Sequence, residues 1–128
     1  MLDHITFGVT DFARSTEFYT RAFARLGVKR LYDVPLEQSG GVSATGYGDS
    51  RPWFWIVEQD ATRGKLHIAL TAKSRAIVDA FHAEAIAAGG RDNGAPGLRP
   101  HYHENYYGAF VLDPDGHNIE AVCHLPAG

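Results

Sequence analysis

The sequence predicts an α+β fold of two similar β-α-β-β-β modules, whose strands form a curved, cup-like mixed sheet with the helices outside. Three observations predict it. The chain matches itself at an offset of 63 residues, which places His4 on His67 and Phe18 on Phe81. Each copy runs strand, helix, then glycine, and strand-like segments follow each helix. We therefore expect one domain over residues 1–128, with modules of about 1–62 and 63–128.

The first copy opens with an alternating segment over residues 2–9, which predicts a strand. Asp11 is a predicted helix cap, and apolar residues at helical spacing continue to Gly27. Glycine and Asp-Ser-Arg-Pro turns then separate three predicted strands, over residues 29–34, 42–48 and 53–58.

The second copy repeats this order with a strand over residues 65–71, a helix capped by Ser74 and ending at Gly89, and strands over 109–112 and 117–124. Between Gly90 and Tyr107 the chain is rich in glycine and proline. This pattern predicts a long loop with room for a short strand inside it, and long loops in small domains are more often functional than idle.

Composition restricts the class of protein. Of the residues, 45% are hydrophobic and the net charge is -3, with basic residues scattered, so we expect a globular protein without a nucleic-acid partner. The single cysteine, Cys123, excludes an internal disulfide and suits a reducing compartment. No apolar segment approaches the roughly 20 residues of a membrane span. We expect a cytoplasmic location, no membrane partner and a small-molecule substrate.

Three side chains suggest a metal site. His4 and His67 occupy equivalent positions in the two predicted first strands, and Glu120 lies among apolar residues of the last strand. A buried glutamate is costly without a cation, and two histidines with one carboxylate suit a divalent metal that keeps open positions. The alternative is that both histidines are hydrogen-bonded strand residues and Glu120 is solvated. The combination of all three favours the metal.

A second cluster precedes the strand at 109–112. His101 and His103 are candidate proton-transfer residues, because histidine titrates near neutral pH, and Glu120 could also act as a base. The alternative is a polar surface loop. His117 is expected to be a turn residue. Candidate substrate-binding residues are Trp55, Arg99, Tyr102, Tyr106 and Tyr107.

Nearly the whole chain resembles the vicinal oxygen chelate superfamily, which includes glyoxalase I, bleomycin-resistance proteins, fosfomycin-resistance proteins and extradiol dioxygenases. The resemblance lies in LDHITFGV at residues 2–9, HIAL at 67–70 and AFVLDPDGHNIE at 109–120. It implies that His4, His67 and Glu120 ligate one divalent metal per chain, which could be Zn, Fe, Mn or Ni.

Glyoxalase I has a fourth ligand, a Glu or Gln in the first module, and its counterpart here falls within the apolar residues 55–57. The resemblance therefore implies a three-ligand site and glyoxalase-like chemistry on a small oxygenated substrate, as in a lyase or isomerase that stabilises an enediolate. The alternatives are a metal-free binding protein of the bleomycin-resistance type and an Fe(II) extradiol dioxygenase.

The resemblance also implies a homodimer. The linker over residues 59–64 is short and polar, so we expect it to fold back and to give a complete site in each chain. Exchange of modules between chains would instead divide the site, with His4 and Glu120 coming from different copies.

Overall fold

The computed structural model describes residues 1–127 and confirms the α+β class. Within these residues, eight strands form two separate four-stranded mixed sheets, and three helices accompany them. In chain order the elements are β1 (Ile5–Val9), α1 (Phe12–Ala24), β2 (Lys29–Asp33), α2 (Leu36–Ser39), β3 (Ala44–Gly48), β4 (Pro52–Glu58), β5 (His67–Thr71), α3 (Arg75–Ala87), β6 (Arg91–Leu98), β7 (Tyr107–Leu112) and β8 (Asn118–Cys123).

The internal repeat appears in both topology and element length. The first sheet has the order β1-β4-β3-β2 and the second the order β5-β8-β7-β6, so each pairs its first strand in parallel with its last. Helices α1 and α3 both contain 13 residues. Their predicted caps are present, since the side chain of Asp11 accepts from the Arg14 N–H and that of Ser74 from the Ile77 N–H.

The strands alternate between a helix-covered face and an open face. In the second sheet Ile119 and Ala121 are fully buried on the helix side, whereas His67 and Ala69 on the first strand are exposed. In the first sheet Phe7 packs edge to face against Phe54 and against Tyr19 of α1, and the rings of Phe54 and Tyr19 lie 5.1 Å apart in a tilted arrangement. Each sheet therefore leaves one face available for a site.

The first half of the loop predicted after Gly90 is a strand of eight residues, longer than the short one that the sequence allowed. Residues 91–98 form β6, which pairs with β7 as the edge of the second sheet. Glycine and proline are tolerated there because an edge strand needs fewer ladder hydrogen bonds, and the register shifts at Gly94 and Gly97 accommodate the irregular backbone. Only residues 99–106 remain as a loop.

A buried polar network joins the two modules. The Tyr19 hydroxyl of α1 donates to Asp113 Oδ2 at 2.5 Å, and His117 Nδ1 donates to the same oxygen at 2.9 Å. His117 Nε2 donates to the Thr62 carbonyl at 2.8 Å. His117 is thus a buried connector and more than a turn residue. No helix within residues 1–127 is long and apolar enough to cross a membrane.

Candidate metal and substrate site

Glu120 and His67 meet on the open face of the second sheet. Their strands are parallel neighbours, and His67 Nε2 donates to Glu120 Oε1 at 2.8 Å. Glu120 is 1% exposed, whereas the His67 side chain is 49% exposed. A buried carboxylate that faces an accessible imidazole is a pair of ligand atoms suited to a divalent cation.

Tyr106 closes the other side of Glu120. Its hydroxyl donates to Glu120 Oε2, so both carboxylate oxygens have a partner. Burial, followed by the hydrogen bond and charge of Glu120, raises the pKa of Tyr106 above its usual value. Tyr106 therefore remains a neutral donor near pH 7.

Arg99 is fixed on the same side of the sheet. Its two terminal nitrogens donate to the carbonyls of Gly97 and Ala95 at 2.8 Å each. Its guanidinium lies 5.5 Å from the ring centre of Phe110, and that ring lies 6.0 Å from the ring of His67. The arrangement places a preorganised cation in the neighbourhood of the His67–Glu120 pair.

The loop histidines flank Tyr106 without contacting Glu120. His103 Nδ1 accepts from the Asn105 N–H at 3.2 Å, and its ring lies 5.6 Å from that of His124. The rings of His101 and Tyr102 lie 4.2 Å apart, and Tyr102 packs edge to face on Tyr106 at 5.0 Å. These side chains form an exposed rim of the second sheet's open face.

Tyr107 lies on the opposite face of the sheet, which corrects its predicted role in substrate binding. Its hydroxyl donates to Asp79 of α3 at 2.6 Å, and the Arg75 guanidinium lies over its ring at 5.2 Å. The reason is strand alternation, because adjacent residues of an extended chain point to opposite faces. Tyr106 and Tyr107 cannot both face the site.

His4 lies just before β1, beside the open face of the first sheet. Its Nδ1 donates to Asp3 Oδ1 at 2.7 Å, and Arg51 donates to Asp3 Oδ2 at 3.0 Å. With the proton on Nδ1, the lone pair of His4 is on Nε2. In metal sites, a carboxylate commonly accepts a hydrogen bond from the ring nitrogen that does not bind the metal, and so orients the histidine.

His4 and Trp55 border a depression of about 450 Å³ on that face. Its apolar lining includes Trp55, Ala44, Pro52 and Val57. Asp3, His4 and Arg51 make one end polar. The shape and lining suit a small molecule that has an apolar, planar part.

A single chain does not assemble the predicted metal site. Within residues 1–127, no group of three or more His, Cys, Asp or Glu side chains is placed to hold a metal ion. The chain brings His67 to Glu120 but leaves His4 with Asp3. The expectation of a complete site within each chain is therefore corrected. Sequence spacing identified equivalent strand positions, but equivalence between modules does not bring them together in space.

This fold and this arrangement of residues define a class of protein. The family model described as Glyoxalase/Bleomycin resistance protein/Dioxygenase superfamily matches residues 1–121. The chain belongs to that superfamily, as the resemblance of its sequence implied.

Solved structures agree with this assignment. A glyoxalase/bleomycin resistance protein from Albidiferax ferrireducens T118 is 30% identical, with a TM-score of 0.77 over 94% of this chain and 96% of that one. A fosfomycin resistance protein, FosX, from Listeria monocytogenes, complexed with Mn(II) and a dihydroxypropylphosphonic acid, is 22% identical, with a TM-score of 0.69 over 95% and 88%. A glyoxalase I mutant from Zea mays is 20% identical, with a TM-score of 0.70 over 94% of this chain and 43% of that one. Among curated proteins no match was found.

Proposed function

We propose that this protein is a metal-dependent, glyoxalase-like enzyme that acts on a small oxygenated substrate. The observation that carries the proposal is the direct contact between His67 Nε2 and Glu120 Oε1 on an open sheet face. Burying a carboxylate is costly without a compensating positive group, and a divalent cation would supply one. The FosX structure with Mn(II) shows that this fold can accompany such a metal.

We propose that the third ligand, His4, comes from a second copy of the chain. The strands β1 and β5 are each at the end of a sheet, and an unpaired edge is a natural contact for another chain. Beside these edges lies an apolar depression of about 380 Å³ that includes Leu2, Ile5, Ile68 and Leu70. A symmetric dimer that covers it would contain two equivalent sites.

Each residue of the site then has a specific task. A bound divalent metal would act as a Lewis acid toward oxygen atoms of the substrate. Arg99 would attract an anionic group, and Trp55 would pack against the apolar part of the substrate. Glu120 is assigned as a ligand and not as the proton acceptor, because Tyr106 already donates to its Oε2. Metal binding at His67 would release the Nε2 proton that now bonds Oε1, and would free that oxygen for the metal.

Proton transfer is assigned to the histidine-rich rim. Because His103 Nδ1 accepts a backbone hydrogen bond, neutral His103 carries its proton on Nε2 and can donate it. His101 is the corresponding candidate acceptor. Replacing His101 and His103 one at a time by alanine separates the two roles. Loss of the proton acceptor should alter the acidic limb of the pH–rate profile, and loss of the proton donor should alter the basic limb.

Metal analysis tests the ligand set. Wild-type protein should hold one divalent ion per chain, and His67→Ala should lose it, whereas the matched control His82→Ala, whose histidine pairs with Asp92, should keep it. Equal metal content in wild type and His67→Ala would contradict the assignment. Activity should then be assayed on 2-oxoaldehyde adducts and, with Fe²⁺, on catechols.

Mixing two inactive variants tests whether the site is shared. In a mixed dimer of His4→Ala and Glu120→Ala, one of the two sites retains all three ligands. Random exchange of equal amounts should restore about a quarter of wild-type metal content, because half of the dimers are mixed and each has one intact site. A complete lack of recovery in a proven mixed dimer would contradict a shared site.

A metal-free binding protein is the second candidate. The apolar surface of Trp55 in the first-sheet depression favours it, because an aromatic ligand could bind there without chemistry. Tight binding of an aromatic ligand, with an affinity that a chelator does not change and with no turnover, would favour a binding protein over an enzyme.

A further inference from the structure

We infer that Tyr106 is a positioning residue that fixes Glu120 so that only one carboxylate oxygen, Oε1, faces the ligand space. The inference rests on the proposed metal function. It assigns to the hydroxyl of Tyr106 a task other than the substrate binding that the sequence suggested.

The backbone around Tyr106 is built for this contact. Tyr106 immediately precedes β7, and Gly108 lies next to it on the same face of the sheet. A Cβ at Gly108 would lie 3.1 Å from Tyr106 Cε1 and 3.2 Å from Glu120 Oε2. The absence of a side chain at residue 108 therefore lets the Tyr106 ring lie across the sheet and reach the carboxylate.

The ring is also supported from its outer side. Tyr102 packs edge to face on it at 5.0 Å, and His124 does so at 5.3 Å. These contacts hold the ring independently of its hydroxyl. Removing the hydroxyl alone should leave the ring in place and release Glu120 Oε2.

The two oxygens of Glu120 thus have different partners. Oε1 contacts His67, the other candidate ligand, while Oε2 is held by Tyr106. A free carboxylate can bind a cation through one oxygen or through both. Hydrogen bonds to a ligating carboxylate orient it, and their loss typically lowers metal affinity by about 10–100-fold. Tyr106 would therefore select binding through one oxygen.

Cobalt substitution tests the inference without an activity assay. Tyr106→Phe should lower Co²⁺ affinity by about 10–100-fold. It should also weaken the visible absorption of the bound Co²⁺, because a second carboxylate oxygen raises the coordination number. The matched control is Tyr107→Phe, which removes the same atom from the neighbouring residue but on the Asp79 side of the sheet. It should change neither quantity.

A second variant tests the geometry. Gly108→Ala keeps the hydroxyl but places a methyl group 3.1 Å from Tyr106 Cε1 and 3.2 Å from Glu120 Oε2, so it disturbs the contact between them. It should change the Co²⁺ spectrum in the same direction as Tyr106→Phe. Suppose that His67→Ala abolishes Co²⁺ binding but folded Tyr106→Phe keeps the wild-type spectrum and affinity. That result would overturn this inference and leave the proposed metal function intact. If wild-type protein binds no Co²⁺, or if His67→Ala does not weaken binding, the proposed metal function fails and this inference fails with it.

Discussion

Trp55 and Glu120 occupy equivalent positions in the two sheets. Trp55 is the parallel partner of Thr6 on β1, and Glu120 is the parallel partner of Ala69 on β5. Thr6 and Ala69 are themselves related by the 63-residue repeat. The first sheet therefore presents an indole where the second presents a carboxylate. The nearest acidic residue along the chain, Glu58, pairs with Val9 and is exposed, so it does not replace the missing carboxylate.

This equivalence predicts that Trp55→Glu adds a metal ligand. If the two open faces meet around one ion, the new carboxylate should tighten Zn²⁺ binding by about tenfold or more, because an additional anionic ligand increases affinity. Competition with a chromophoric chelator measures the affinity. Val57→Glu places the same charge two residues along the strand and serves as the control. Similar affinities for the two variants would contradict the prediction.

The contact between Asp3 and His4 predicts a second effect on metal binding. Asp3→Asn should lower Zn²⁺ affinity by about 10–100-fold, because the amide holds the imidazole less well and makes its free nitrogen a weaker ligand. Asp33→Asn is a matched control, since that carboxylate pairs with Arg30 of its own strand, β2, at the other edge of the first sheet. An unchanged affinity in Asp3→Asn would show that the Asp3 carboxylate does not support metal binding through His4.

The buried histidine predicts a pH-dependent stability. Burial opposes the charge of His117, but the hydrogen bond to Asp113 and the one to the Thr62 carbonyl outweigh it and raise the pKa of His117 above its usual value. A raised pKa in the folded state stabilises the protein fully below about pH 6.5, the unfolded value, and this stabilisation is lost as the pH rises through the folded value.

Urea unfolding from pH 5.5 to 9 measures this effect. The wild-type free energy of unfolding should decrease across the upper part of that range. His117→Gln should be less stable by about 1–3 kcal/mol at pH 6, because a buried partner loses its hydrogen bond, and its pH dependence should be flatter. His82→Gln should retain the wild-type slope. Parallel curves for wild type and His117→Gln would refute the prediction.

The contact between Gly90 and Phe18 predicts a packing defect at the junction of the modules. A Cβ at residue 90 would lie 2.6 Å from Phe18 Cε1 and 2.8 Å from the Ala85 carbonyl oxygen. Gly90→Ala should therefore destabilise the protein by about 1–3 kcal/mol. Combining it with Phe18→Leu should cost less than the sum of the single changes, because the shorter side chain removes one clash. If urea unfolding shows that the free energy loss of the double variant equals the sum of the two single losses, the clash with Phe18 is not the cause of the destabilisation.

The sequence by itself determined the fold class, the two modules and most elements. The hydrophobic periods of strand and helix are local properties, and the caps Asp11 and Ser74 lie next to the residues they serve. It also located the counterpart of Glu120 within residues 55–57, because parallel pairing of equivalent strands keeps a nearly constant register.

Only the tertiary structure decided which groups meet. It placed Tyr106 and Tyr107 on opposite faces of the second sheet. Neighbouring residues of a strand always alternate, but which of them faces the site follows only when the start and pairing of the strand are known. It made residues 91–98 an edge strand despite their glycines, since pairing with β7 outweighs weak local propensity. It also joined His67 to Glu120 through the parallel pairing of β5 with β8, and it left His4 with its neighbour Asp3. Equivalent positions in two modules meet only if the modules pack with those faces together, which spacing along the chain does not show.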